Sequence, residues 1–175
     1  VNGNIIGTAA APVDPLLEPL ADYGGPTLIY ALQPGSPAIN SGDFALAVDA
    51  AGNAYITGRT TSSNFTVVNA LQPQRAGQTG PAGRSDAFIS KLNAAGTALD
   101  YSTYFGGSQD EVARHIAVDS LGNAIIAGYS QSSDLPLISP LSTAFSAGAF
   151  NVFVTKLNPS GSAAVFSTYL VEGNT

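Results

Sequence analysis

The sequence predicts an all-β chain: two tandem four-stranded antiparallel sheets preceded by an extended N-terminal arm. Three observations carry this expectation. Charged residues make up only 10% of the 175, against about 25% in an average soluble domain, so the polar surface must come from Ser, Thr, Asn, Gln and backbone. The 19 glycines and 11 prolines supply many turns, whereas exposed helices normally carry Glu and Lys. The third observation is an internal repeat.

The stretch Ala47-Val48-Asp49-Ala50-Ala51-Gly52-Asn53-Ala54-Tyr55-Ile56-Thr57-Gly58 returns as Ala117-Val118-Asp119-Ser120-Leu121-Gly122-Asn123-Ala124-Ile125-Ile126-Ala127-Gly128. Ser62-Ser63 returns as Ser132-Ser133, and Leu71 as Leu141. A second block, Phe88-Ile89-Ser90-Lys91-Leu92-Asn93 with Gly96 and Ser102-Thr103-Tyr104, returns as Phe153-Val154-Thr155-Lys156-Leu157-Asn158 with Gly161 and Ser167-Thr168-Tyr169. The offset falls from 70 to 65 between the blocks, which places an insertion of about five residues in the Gly-Pro-rich stretch Arg75 to Arg84.

Each copy reads as four short strands, at 44–49, 54–58, 86–92 and 98–104 in the first and at 114–119, 124–128, 151–157 and 163–170 in the second. Alternation shows in Phe44, Leu46 and Val48, and in Ala87, Ile89 and Lys91 against Phe88, Ser90 and Leu92. Asp49 to Asn53 is a turn: Gly52 can take positive φ, Asn53 tolerates it, and the Asp49 carboxylate can cap free amides. Asn93 to Gly96 turns the second pair of strands. Two successive hairpins make the four-stranded blade of a β-propeller, so the fold expected is two tandem propeller-type blades. The domains read as an arm at 1–43, a first blade at 44–110 and a second at 111–175.

The pattern A-V-D-x-x-G-N-x-x-x-x-G, D-A-F-x-x-K-L-N-x-x-G and Y-S-T-Y resembles the bacterial β-propeller repeat known as the SBBP repeat, in two copies over residues 44–170. The resemblance implies secreted or cell-surface proteins, often very large, that use the propeller as a scaffold or interaction platform. It attaches no catalytic residues to the repeat. Residues 1–43, with Asp14-Pro15-Leu16-Leu17-Glu18-Pro19-Leu20 and Pro34-Gly35-Ser36-Pro37-Ala38-Ile39-Asn40-Ser41-Gly42, resemble the segment that closes the C-terminal end of right-handed parallel β-helices in bacterial surface proteins. Asn2-Gly3-Asn4-Ile5-Ile6-Gly7 would be a remnant of the last coil.

The net charge is −6 with Lys91 and Lys156 the only lysines. The basic footprint that phosphates require is missing, which excludes nucleic acid as an expected partner and disfavours an anionic membrane surface. No apolar run approaches the roughly 20 residues of a membrane span. Val1 is not an initiator Met and no signal-type n- and h-regions follow it, so a mature segment or a fragment of a longer chain is expected. The absence of Cys leaves no disulfide framework and no thiolate chemistry.

Each residue suited to chemistry has a plainer reading beside the functional one. His115, the single histidine, could be a general base or ligand, but nothing beside it completes a site, and a surface strand histidine is expected. Ser102, His115 and Asp100 compose a triad only on paper, since no G-x-S-x-G elbow precedes a serine. Asp110-Glu111 is the one adjacent acidic pair; it could serve Ca²⁺ together with Asp119, or a glycosidase, although neighbours in a strand point to opposite faces. The plainer reading is a solvated turn between blades. Asp49/Asn53 and Asp119/Asn123 lack the remaining ligands of an EF-hand loop and read as turn formers. Asn64-Phe65-Thr66 fits a glycosylation triplet that arises often by chance, and no phosphate-binding glycine loop occurs. Tyr55, Tyr101, Tyr104, Tyr129 and Tyr169 could stack on sugars from an exposed edge; packing is the expectation for Tyr104 and Tyr169, which recur at matching positions.

No catalytic residue and no cofactor are expected; for metal, Asp110, Glu111 and Asp119 are the sole calcium candidates. The function expected is that of a non-enzymatic structural or adhesion module of an exported bacterial surface protein, self-assembling through uncovered blade faces and edges. Its expected partners are further repeats of a parent chain, copies of itself, or a glycan or protein ligand. The alternative is a lectin-like module binding carbohydrate or protein through loops 59–85 and 129–150. A propeller hydrolase is the third reading and lacks an acid–base pair.

Overall fold

The computed structural model describes residues 44–76 and 84–170. The arm at 1–43, including its apolar stretches Ile5-Ile6 and Thr27 to Tyr30, lies outside the described residues, as does most of the insertion between Arg75 and Arg84. The described chain is all-β, with eight strands and no helix. They are β1 (Phe44–Val48), β2 (Ala54–Thr60), β3 (Asp86–Leu92), β4 (Leu99–Phe105), β5 (Glu111–Val118), β6 (Ala124–Ser130), β7 (Asn151–Leu157) and β8 (Ala164–Tyr169). They form two four-stranded antiparallel sheets, ordered β1-β2-β3-β4 and β5-β6-β7-β8. The one sizeable boundary difference is at β5, which begins at Glu111, three residues ahead of the expected start.

The repeated turns form for the expected reason. In the first hairpin, Gly52 N–H donates to the Asp49 carbonyl at 3.0 Å, while Ala51 and Asn53 N–H donate to Asp49 Oδ1 at 2.9 Å each. In the second copy, Leu121 and Asn123 N–H donate to Asp119 Oδ1 at 3.0 Å each. Gly52 and Gly122 stand at φ 86° and 81°, a region that L side chains avoid. The Asn93 and Asn158 turns match likewise: Thr97 N–H donates to Asn93 Oδ1 at 2.9 Å and Ser162 N–H to Asn158 Oδ1 at 3.0 Å.

Each long loop after β2 and β6 comes back to lie beside its own outer strand. Val68 exchanges backbone hydrogen bonds with Ser102 of β4 at 3.0 and 2.7 Å, and Ile138 with Ser167 of β8 at 3.1 and 2.8 Å. Asn69 and Ser139, the next residues, turn the chain away at φ 47° and 43°. These loop segments are therefore pinned at Val68 and Ile138.

The two sheets stack face to face. Cross-strand register puts Tyr55, Thr57, Ala87, Ile89, Tyr101, Thr103 and Phe105 on one face of the first sheet, and all seven are buried. Opposite stands the second-sheet face carrying Ala124, Ile126, Phe153, Leu157 and Tyr169, and both faces contribute to one apolar cluster. β5 packs against β1, β2 and β3. Phe105 meets Phe153 with ring centroids 5.8 Å apart. No helix among the described residues is long and apolar enough to cross a membrane.

Candidate functional site

The densest polar cluster is the junction where Gly106 to Asp110 carries the chain from β4 to β5. Consecutive N–H groups there are taken up by side chains. Gly106 donates to Gln72 Oε1 at 3.1 Å, Gly107 to Glu111 Oε2 at 2.8 Å, Ser108 to Asp134 Oδ1 at 2.9 Å and Gln109 to Ser132 Oγ at 2.8 Å. A Cβ on Gly106 would stand 2.6 Å from Glu111 Oε2 and 2.9 Å from Asp86 Oδ2, and one on Gly107 would meet Ser132 and Asp134 at 2.6 Å. The two glycines are required by close approach, not by backbone conformation.

Glu111 overturns the expectation of a solvated turn. It opens β5, is fully buried, and accepts a 2.7 Å bond from Ser130 Oγ besides the one from Gly107. Asp86 is equally buried; its Oδ2 accepts from Gln72 Nε2 at 3.0 Å and Ala76 N–H at 2.9 Å, while Oδ1 has no partner among the described residues. Burial pushes both carboxyl groups above the ordinary range, because a low-polarity surrounding disfavours the charged form, and the proximity of Asp86 adds to the rise at Glu111. Each carboxyl satisfies polar groups that would otherwise be stranded, Asp86 in the loop beside the first sheet and Glu111 in the junction and across the second.

The three calcium candidates do not converge. Asp110 turns its carboxylate to Ser85, accepting from N–H at 2.8 Å and Oγ at 3.0 Å, while Glu111 serves Gly107 and Ser130. Asp119 lies beyond the far end of β5, roughly 25 Å along a strand of this length. It is held there by Lys156 at 2.7 Å and by Asn123. Lys156 and Asn123 hold the Asp119 carboxyl well below the ordinary range, and Asn53 similarly lowers Asp49. Among the described residues no group of three or more His, Asp or Glu could hold a metal ion.

The paper triad is equally dispersed. Ser102 is buried with its hydroxyl bonded to Ser90 Oγ and the Thr66 carbonyl, Asp100 pairs with Lys91 at 3.1 Å, and His115 is an exposed strand residue of the other sheet. Tyr104 and Tyr169 are buried as expected, and so are Tyr55 and Tyr101; Tyr129 is exposed.

Two clefts remain. One of about 930 Å³ lies between the pinned loops, among Leu71, Pro73, Phe105, Pro136, Ile138 and Ala164. Another of about 540 Å³ is bounded by Arg59, Asp110, Arg114, Tyr129, Gln131 and Phe150, with the Tyr129 and Phe150 rings edge-on at 6.3 Å. Sequence reasoning missed the burial of the neighbouring Glu111 and Asp86 carboxyls, and its signal was the pair Gly106-Gly107 just ahead of Asp110-Glu111.

Sheet architecture and repeated turns define the class: a structural repeat module built of propeller-type sheets. In agreement, the SBBP family model, described as a beta-propeller repeat, matches residues 41–66 and 100–136. The first match covers β1 and β2, and the second runs from β4 through the junction to the loop after β6. No curated protein matches the chain.

Proposed function

We propose that the chain is a non-enzymatic structural or adhesion module of an exported bacterial surface protein, joining further blade-type sheets through the faces it leaves uncovered. The observation carrying this reading is a contrast between equivalent positions. Side chains buried where the two sheets meet have counterparts on the outer faces that are just as apolar and stand open: Leu71 packs against the core while Leu141 is 84% exposed. An apolar face rimmed by polar turns is a surface for association. The absence of enzymatic function is favoured by what the polar side chains do, since the junction carboxyls and Ser102 are all engaged in holding strands and loops together. The resemblance of residues 1–43 to the end of a β-helix suits a place after such a stalk.

Labelling of intact cells that make the parent protein, with antibody against this chain, tests the surface assignment; protection from antibody and from added protease rules it out. Turnover of a glycoside or ester panel by the purified chain, abolished by a point substitution, refutes the non-enzymatic reading.

A carbohydrate- or protein-binding lectin-like module is the second reading. The cleft with Tyr129 and Phe150 favours it, because the two aromatic rings offer a stacking surface beside the polar side chain of Gln131; the binding loops of this reading are 59–85 and 129–150. Binding on a glycan array that is lost in Tyr129→Ala supports it, and an array without signal removes it.

A further inference from the structure

We infer that the cleft of about 540 Å³ where β5 begins and β6 ends binds a neutral pyranose sugar, its ring lying on Tyr129 while a hydroxyl bridges Asp110 and Gln131. This rests on the lectin-like reading above and names the ligand class together with the side chains that select it.

Cross-strand register builds the site. Glu111 pairs with Ser130 and Val112 with Tyr129. Just beyond the last pair, Gln131 N–H donates to the Asp110 carbonyl at 2.9 Å. Successive side chains point to opposite sides of a strand. Glu111 and Ser130 are buried and bonded to each other, so Asp110, Val112, Tyr129 and Gln131 share the other side and line the cleft together. Phe150 meets the Tyr129 ring at 71°, and Tyr129 is 43% exposed.

The polar groups of this side define what the ligand must offer. Asp110 accepts both of its side-chain bonds, from Ser85 N–H and Oγ, on Oδ1. Its Oδ2 and the Gln131 side-chain amide have no partner among the described residues. A hydroxyl donates to the carboxylate and accepts from the amide at once, whereas an ammonium can only donate and a carboxylate can only accept. An anionic ligand would also meet the like charge of Asp110. The Tyr129 ring adds a flat apolar surface. A pyranose joins the two demands, with hydroxyls at its rim and C–H groups on its face. The cleft volume lies within the roughly 300–1,000 Å³ of small-molecule sites.

The site does not depend on what lies over the second sheet. Arg59 and Thr61 are the first-sheet counterparts of Tyr129 and Gln131, and both are exposed although the second sheet is stacked on the first. Positions at this end of the sheet stay open beneath a neighbour. The same comparison shows that the repeat does not dictate the site, since the first copy has neither the ring nor the amide.

Calorimetry and saturation-transfer NMR on the full chain test this, with methyl glucoside, galactoside and mannoside as neutral probes and methyl glucuronide as the acidic one. The expected result is binding of at least one neutral glycoside, weakened about tenfold or more by Asp110→Asn. That variant keeps an oxygen for the Ser85 bonds and removes only the second acceptor. Tyr129→Ala should abolish binding and Tyr129→Phe should retain it. Gln131→Leu, which breaks no side-chain bond within the described residues, gives the same reading should Asp110→Asn fail to fold. Glycoside binding that is lost in Tyr129→Ala but unchanged in Asp110→Asn and Gln131→Leu overturns the inference and leaves the lectin-like reading standing. Silence toward every neutral glycoside, with a glycan-array signal for acidic glycans or with binding of uncharged peptides, overturns it in the same way. An array without any signal removes both.

Discussion

Tyr101 offers the sharpest test of how the two sheets are held together. Its ring is 0% exposed, lies edge-on to Tyr55 at 6.4 Å and 71°, and is covered by Gly161. Its hydroxyl has no hydrogen-bond partner among the described residues, and burial pushes the phenol far above its usual range, with Tyr55 and Asp100 adding to the rise. A buried hydroxyl without a partner costs about 1–3 kcal/mol. Tyr101→Phe removes that cost and keeps the ring, less a void of one oxygen atom. The expected net gain is about 1 kcal/mol, or roughly 2–4 °C in Tm for a chain of this size. Tyr55→Phe is the comparison, because the Tyr55 hydroxyl donates to Asp49 Oδ2 at 3.1 Å. That change should lose about 1 kcal/mol. Thermal and urea unfolding followed by near-UV circular dichroism measures both. If Tyr101→Phe is destabilised as much as Tyr55→Phe, the Tyr101 hydroxyl is satisfied in solution and the reasoning fails. The second repeat carries Phe166 at this position, so the substitution copies what the chain already does once.

The remaining predictions concern the buried carboxyls, the bulge and the turns. Asp86 and Glu111 have raised folded-state values, so the folded state holds more protons than the unfolded one above the ordinary carboxylate range. Stability from this pair is greatest below that range and falls as pH rises through the raised values. Asp49 and Asp119 act oppositely, losing their contribution as pH falls below the ordinary aspartate range. Urea midpoints across pH 4 to 8 should therefore decline toward neutrality, and Asp86→Asn with Glu111→Gln should flatten that decline. Gly128 faces the bulge between Ala113 and His115, and an added Cβ would strike the Val112 carbonyl and lie 2.9 Å from Ala113 Cα. Because backbone atoms cannot swing aside, Gly128→Ala should cost about 3 kcal/mol, measured by the same unfolding assay. Asp119→Asn removes the ion pair with Lys156, and amide exchange should then quicken at Leu121 and Asn123 while the Asp49 turn is unaffected.

Strand positions were legible because two independent signals coincided: side chains alternated by two, and the turn residues between them recurred at fixed spacing. The repeat also carried the pinning of the loops, in Val68 and Ile138 followed by Asn69 and Ser139, but an isolated apolar residue in a long loop gives no periodicity to read. Glu111 was misjudged because charge next to charge ordinarily signals solvent. Its burial depends on the Gly107 amide and on the Ser130 hydroxyl across the sheet, which become partners only once β5 pairs with β6 and the junction folds back on its first residue. The early start of β5 follows from the same bonds. Equally invisible was the different use of the paired lysines. Lys156 reaches Asp119, whereas Lys91 turns to Asp100, since the Tyr55 hydroxyl occupies Asp49 where the second copy has Ile125.

The loop segments lying along β4 and β8 also decide the direction in which the molecule can be extended. A bare outer strand would offer its amides and carbonyls to any passing extended chain, the route by which sheet proteins fuse into fibres. With Val68 and Ile138 already bonded there, that lateral margin is largely closed off, while the flat sides of the sheets stay apolar. On these two strands, new neighbours are steered toward stacking and away from zippering.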